Sequence, residues 1–372
     1  MSSSKSPRRA RRRLESLGLG FFGPRRGELP RFGKSGYEPF AMKTMLGRRS
    51  SRAVLVLVLG ALAGCGGAKS EPREPEPASS ASGPAVAPAS SEKVKQGRDL
   101  LTARKFEEAS QILAEARQDK PNDPQAAYYH GVALEGLGET EAAKAAYERA
   151  LELDGALLEA SQNLSALLLE QDSAEQALAV ADAGLKNAPK DPGLLANRAL
   201  ALGALGSDEA ERAFETALAA RSGDGWLRYY YAGVLTLHEK NDAATAELKK
   251  ISSDALKDAD LLIAVSELYG VLKDFPSCVQ LFDRALSEKS SAELLVRRGR
   301  CKLGTKDLSG AEADFRRATT ESPEDPMGYF YLGKHLVAQG KAAEGKKALT
   351  RAVELGPETP FGKQAKAALS GK

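Results

Sequence analysis

Residues 131–150 read GVALEGLGETEAAKAAYERA. A small residue, Gly131, is followed twelve positions later by Ala143 and seven after that by Ala150, and these offsets return eight times with a period of 33 or 34 residues. The first position is filled by Gly97, Gly131, Ser165, Ala199, Ala232, Ser266, Gly299 and Gly333. The second is Ala109, Ala143, Ala177, Ala210, Ala244, Cys278, Ala311 and Gly345, and the third runs from Ala116 and Ala150 to Ala318 and Ala352. Small residues at such offsets let two antiparallel helices approach closely, once per repeat. A larger residue stands four after the second small one in every unit but the third, where Ala181 replaces it; Leu113, Tyr147, Phe214 and Phe315 are examples. These side chains are expected to fill the space between neighbouring units.

Punctuation supports the same register. Pro121, Pro189, Pro323 and Pro357 close the first, third, seventh and eighth units, where a residue without an amide hydrogen stops a helix. Gly138, Gly206 and Gly340 fall at the turn between the two helices of their units, and left-handed backbone costs glycine least. In the fifth and sixth units Asp242 and Asp274 stand in for that signal, and Pro276 falls just inside a helix start.

This pattern resembles the tetratricopeptide repeat, a helix-turn-helix unit of about 34 residues. The resemblance implies an all-α fold, a right-handed superhelical solenoid of about eight units over residues 91–359. A short amphipathic helix over 360–372 would cap the open end of the stack.

Leu62-Ala63-Gly64-Cys65 follows an apolar run from Ala53 to Leu62, itself preceded by Arg48, Arg49 and Arg52. Residues 42–64 thus read as a secretory signal, too short in its apolar part to span a bilayer. The tetrapeptide resembles the bacterial lipobox, which implies cleavage before Cys65, a lipidated Cys65 carrying palmitate-type acyl chains, and stable membrane attachment. Gly66, in place of an aspartate, implies the outer membrane facing the periplasm. Residues 1–41 fit no signal and read either as an over-long start, with Met42 and Met45 better placed to initiate, or as a disordered basic leader. Residues 65–90 form a Pro/Ala/Ser/Glu tether too poor in large apolar groups to fold. The 25 residues from Gly66 to Ser90 could reach at most roughly 80 Å at about 3.1 Å each.

The full chain carries a formal charge of +3, but residues 1–64 account for 14 Lys and Arg against 3 Asp and Glu. Residues 65–372 hold 39 against 47, a net of −8, which removes the support for nucleic-acid binding. His130, His238 and His335 fall at unrelated repeat positions with no second metal ligand at a helical spacing. No nucleophile turn or phosphate loop is present, and no cofactor, metal or small-molecule substrate is expected. Cys278 and Cys301 stand where other units carry small or apolar residues; buried thiols are the default reading, and a disulfide in an oxidising compartment is the alternative.

In the tetratricopeptide family the first helix of each unit lines a concave surface, exposing its second, fifth, sixth, ninth and twelfth to thirteenth positions. On this chain the resemblance selects Lys95, Arg98, Tyr128, Tyr129, Gln162, Asn163, Asn197, Tyr229, Tyr230, Glu267, Arg297, Arg300, Tyr331 and Lys334. The groove would be basic at both ends, with aromatic and amide groups between, and Tyr and Arg are the types that most often carry interface energy. Asn163 and Asn197 take the sixth position of successive units, as in the asparagine ladders with which some family members hold a peptide backbone. The bland alternative is that the tyrosines pack between helices and the charges are solvated. The implied function is a membrane-anchored scaffold or adaptor for peptides or protein surfaces in envelope assembly, similar to pilotins. A regulatory subunit of an envelope enzyme, such as a peptidoglycan synthase or hydrolase, is the second reading, and an enzyme in its own right the third.

Overall fold

The computed structural model describes residues 92–370. The expected signal, Cys65 and the tether lie outside the described residues. Seventeen α-helices are present among the described residues and no strand. The chain divides into two compact bodies, whose described parts are residues 92–201 and 202–370.

The first body holds α1 (Glu92–Thr102), α2 (Phe106–Asp119), α3 (Pro124–Gly136), α4 (Thr140–Leu153), α5 (Leu158–Glu170), α6 (Ala174–Asn187) and most of α7 (Pro192–Ala204). The second holds the end of α7, then α8 (Ala210–Ala220), α9 (Gly225–Leu237), α10 (Asn241–Lys249), a 3-10 turn (Ala255–Lys257) and α11 (Ala259–Val271). It continues through α12 (Phe275–Glu288), α13 (Ala292–Gly304), α14 (Leu308–Glu321), α15 (Pro326–Ala338), α16 (Ala342–Leu355) and α17 (Pro360–Leu369). Odd-numbered helices up to α15 open a unit and even-numbered ones close it; the two helices of a unit pack together wherever both lie in one body.

The starts of the opening helices follow from their caps. Asp123, Asp224, Asp258, Ser291 and Asp325 each accept hydrogen bonds from backbone N–H groups of the first turn, which otherwise lack partners. Pro124 and Pro326 then occupy the first turn, where no amide hydrogen is needed.

The turn inside each unit is the same in all eight. The residue seven after the first small position has positive φ: Gly138, Gly206 and Gly340, but also Arg104, Asp172, Glu239, Lys273 and Lys306. The next N–H reaches back to a carbonyl five residues earlier, as from Glu139 to Leu134 and from Asp307 to Lys302, both at 2.9 Å. Sequence reading found this turn only where glycine fills it. In the fifth and sixth units the turn residues are Glu239 and Lys273, so Asp242 and Asp274 do not replace them; Asp274 instead caps α12 by accepting from the Ser277 N–H, with Pro276 in the first turn.

The small residues act as the period implies, and the large residue fills the space inside its own hairpin as well as toward the next unit. A Cβ on Gly131 would meet the Tyr147 ring at 2.6 Å, and one on Gly299 the Phe315 ring at 2.6 Å. Leu113 and Leu349 likewise cover Gly97 and Gly333. The large side chain therefore packs between the two helices of its own hairpin and also reaches the next unit, as where Phe214 stacks on Tyr231 and Phe315 on Tyr331. The third small position also brings units together: Gly184 lies against Leu194 of the next unit and Ser161 at the start of its own.

Within the second body, α17 packs on α15 and α16. Its Phe361 is buried with ring centroids 5.6 Å from Phe330 and 5.9 Å from Tyr331. A side chain on Gly362 would collide with the Gly356 carbonyl, so glycine lets α17 start this close. No helix among the described residues is long and apolar enough to cross a membrane.

Candidate functional site

The residues selected from the sequence divide by burial. Lys95, Arg300 and Lys334 are exposed, and Arg98, Tyr129, Gln162, Asn197, Glu267 and Tyr331 are half-buried. Tyr128, Asn163, Tyr229, Tyr230 and Arg297 are buried, at 2, 3, 8, 8 and 4 % exposure, which corrects the expectation that they stand open in a groove. Their partners explain why.

In the first body, the Tyr128 ring lies 5.0 Å from Tyr129 and 5.9 Å from Tyr147. The Tyr147 hydroxyl donates to Glu135 at 2.6 Å and accepts from the Asn163 amide at 3.3 Å. Asn197 donates to the Gln162 carbonyl at 3.1 Å and to Ser165 Oγ at 2.8 Å, while the Gln162 side chain donates to Asp191 at 2.8 Å. The amides expected as rungs for a peptide thus spend these donors on holding α5 to its neighbours. At the start of the body Lys95 lies 4.0 Å from Glu92, and the Arg98 carbonyl accepts from the Thr102 hydroxyl at 3.0 Å.

Two carboxylates near the ends of opening helices carry no sequence signal of their own. Glu135 and Glu170 occupy the twelfth position of the second unit and the thirteenth of the third, positions the family resemblance places on the concave side. Burial raises the Glu135 carboxyl, and burial together with the Glu135 charge pushes Glu170 up to about 8.

In the second body, Tyr229 and Tyr230 form a cluster with Trp226, at ring separations of 5.7 and 6.0 Å, and Trp226 donates to Asp258 at 3.1 Å. Burial raises both phenols. Arg297 is ion-paired with Glu267 and Glu293. Arg300 lies over the Tyr331 ring at 5.6 Å, and Lys334 over Phe330 at 5.4 Å. The twelfth and thirteenth positions here include exposed aliphatics: Val271, Leu303 and Val337. A separate cleft of about 540 Å³ lies against α14, α15 and α16, between Arg316, Tyr329, Lys347 and Arg351.

Cys278 and Cys301 form a disulfide, with Cα atoms 6.0 Å apart, so the free-thiol default is corrected. It joins α12 to α13, the closing helix of one unit to the opening helix of the next. His130 and His238 are half-buried, the first bonded to Arg117 at 2.8 Å and the second to Glu211 at 2.6 Å, while His335 is buried. Desolvation and Arg117 bring His130 down to about 4. Among the described residues no group of three His, Cys, Asp or Glu could hold a metal ion.

Residues 94–157 match the tetratricopeptide repeat family model. No curated protein sequence matches the chain. Among solved structures, a tetratricopeptide repeat protein from Parabacteroides merdae is 20 % identical with a TM-score of 0.49, covering 66 % of this chain and 98 % of that one. PilF of Pseudomonas aeruginosa is 19 % identical with a TM-score of 0.46, covering 53 % and 91 %. PilW, described as a widely conserved type IV pilus biogenesis factor, is 16 % identical with a TM-score of 0.49, covering 54 % and 94 %. Residues 94–157 span the first two units, and the same left-handed turn and small-residue register recur through the eighth.

Proposed function

We propose that this chain is a lipid-anchored scaffold of the bacterial cell envelope that binds segments of other proteins on the faces of its opening helices. The observation that carries the reading is the set of side chains those helices leave accessible. Tyr129, Arg300, Tyr331 and Lys334 remain open or half-open, and Tyr and Arg give wide contact at modest entropy cost. Binding, not catalysis, is the work such a surface suits.

The envelope part rests on Leu62-Ala63-Gly64-Cys65 and the signal ahead of it. The Cys278–Cys301 pair supports it, because disulfides persist in oxidising compartments such as the periplasm. Cys65→Ala should leave an uncleaved precursor that takes up no labelled palmitate; continued labelling would refute the anchor.

The binding surface is tested by photo-crosslinkers placed at Tyr129 and Lys334 in intact cells, followed by identification of the captured protein. A secretin subunit would favour a pilotin-like role, and a peptidoglycan synthase or hydrolase a regulatory one. Charge reversal at Arg300 and Lys334 together should abolish capture from the second body with an unchanged melting temperature. Capture at wild-type yield would mean that another surface does the binding. Asn163, Asn197 and Tyr230 are unsuited to this test, because replacing them alters helix packing.

A further inference from the structure

The exposed aliphatics of the second body are not scattered. Five large apolar side chains stand open among the described residues, and three of them, Val271, Leu303 and Val337, lie in the last turn of consecutive opening helices, α11, α13 and α15. Residues three or four apart share a helix face, so Val271 falls beside Glu267, Leu303 beside Arg300 and Val337 beside Lys334. Two contacts between helices make these faces adjoin. Arg297 of α13 is ion-paired with Glu267 of α11, and Arg300 of α13 lies over the Tyr331 ring of α15 at 5.6 Å. The aliphatics therefore form a row across three units, with Glu267, Arg300 and Lys334 as a second row on one flank. Glu267 and Glu293 are both bound to Arg297, while Arg298 and Lys302 turn the other way, to Asp314. The charge this face offers a ligand thus comes from Arg300 and Lys334, both exposed and each seated over an aromatic ring, Tyr331 or Phe330.

We propose that this double row receives an extended segment of a partner protein with an aliphatic residue at every third position and carboxylates between, a reading that rests on the chain being a protein-binding scaffold. The period follows from dimensions. Packed helices lie roughly 8–10 Å apart, and α13 and α15 pack on each other. A polyproline II segment turns once in three residues and advances about 9 Å in doing so, which points its residues i, i+3 and i+6 one way at the spacing of the units. A β-strand returns to the same face every two residues, about 7 Å, and falls out of step. Charge complementarity sets the rest: Arg300 and Lys334 flank the aliphatic row on the same side, so the residues between the aliphatics are acidic.

The probe is a nonapeptide of three Leu-Glu-Pro triplets, titrated into the full chain. One comparison peptide has the same composition arranged in blocks of leucine, glutamate and proline; a second carries glutamine for glutamate. The triplet peptide should bind at least about tenfold more tightly than either. Leu303→Ser and Val337→Ser together change exposed positions, so amide exchange in α13 and α15 should stay as it is while triplet affinity falls at least about tenfold. Arg300→Gln with Lys334→Gln should instead erase the preference for glutamate over glutamine and leave a weaker binding that salt does not affect. Equal affinity for the block peptide, glutamate and glutamine peptides bound alike, or wild-type affinity in the serine variant overturns the proposal. Self-association, or attachment to phosphatidylglycerol vesicles, that the serine variant abolishes would give the row to another occupant and overturn it too. Partner capture at Lys334 in intact cells that persists in the serine variant would sink this occupant while leaving the scaffold reading intact.

Discussion

Two opening helices of the first body, α3 and α5, carry glutamates near their ends, where three of the second, α11, α13 and α15, carry exposed aliphatics. At the twelfth and thirteenth positions stand Glu135 and Glu170 in one, and Val271, Leu303 and Val337 in the other. The sixth position differs just as sharply: buried Asn163 is a neutral amide donating to a phenol, whereas buried Arg297 is a full charge clamped by Glu267 and Glu293. A repeat sets where a side chain stands relative to the hairpin. It does not set what that side chain faces, because each position meets residues of the adjoining unit, and those differ. Two surfaces built on one template therefore differ in chemistry while keeping the same backbone.

The contrast is widest at the sixth position. Arg297→Met leaves Glu267 half-buried without its cation, which should destabilise the second body by about 3 kcal/mol or more. Asn163→Leu loses one hydrogen bond and should cost about 1 kcal/mol in the first. Urea melts read alongside amide exchange of α13 and α5 would separate the two, and equal losses would erase the distinction.

Opening the Cys278–Cys301 bond by Cys301→Ala should come next, at about 2–4 kcal/mol for a closed loop of this length. Repeat units draw stability from nearest neighbours, so exchange should quicken in α12 and α13 and stay unchanged in α1 to α4.

The pH response extends the contrast to the helix ends. Glu170 has its folded-state pKa raised, from 4.5 to about 8, so the folded chain holds a proton that the unfolded chain gives up. Its contribution is fully present below about pH 4.5 and is lost as pH rises toward 8. Relative to Glu170→Gln, the wild-type first body should thus weaken across that window, as read by chemical denaturation at stepped pH.

The smallest effect concerns the turns. Lys306 holds positive φ without being glycine, and Lys306→Gly should stabilise the second body by up to about 1 kcal/mol. The same change at exposed helical positions would do the reverse, which calorimetry on paired variants would show.

Turn chemistry also marks how far the sequence can be read. Gly138, Gly206 and Gly340 announce the left-handed turn because glycine adopts it at least cost, while Arg104, Asp172 and Lys306 hide it, since Schellman bonding over-determines the backbone whatever the side chain. Tyr128 and Tyr129 are adjacent tyrosines with opposite fates, one buried and one half-open, and nothing local distinguishes them. Glu135 and Glu170 lie 35 residues apart along the chain, and the Glu135 charge acts on Glu170 only once two units stack.

The order of amino acids was enough to specify the repeat: its period, its helix pairs, the small residues at the crossings and the all-α class. These are local or periodic properties, written in steric size and backbone preference at fixed spacing. It took the folded chain to show that Tyr147 fills its own hairpin, that Asn163 and Arg297 turn inward, that Cys278 reaches Cys301, and that the Glu135 charge bears on Glu170. Each of those outcomes depends on which side chain arrives opposite, and a 34-residue period repeats the backbone without repeating that side chain.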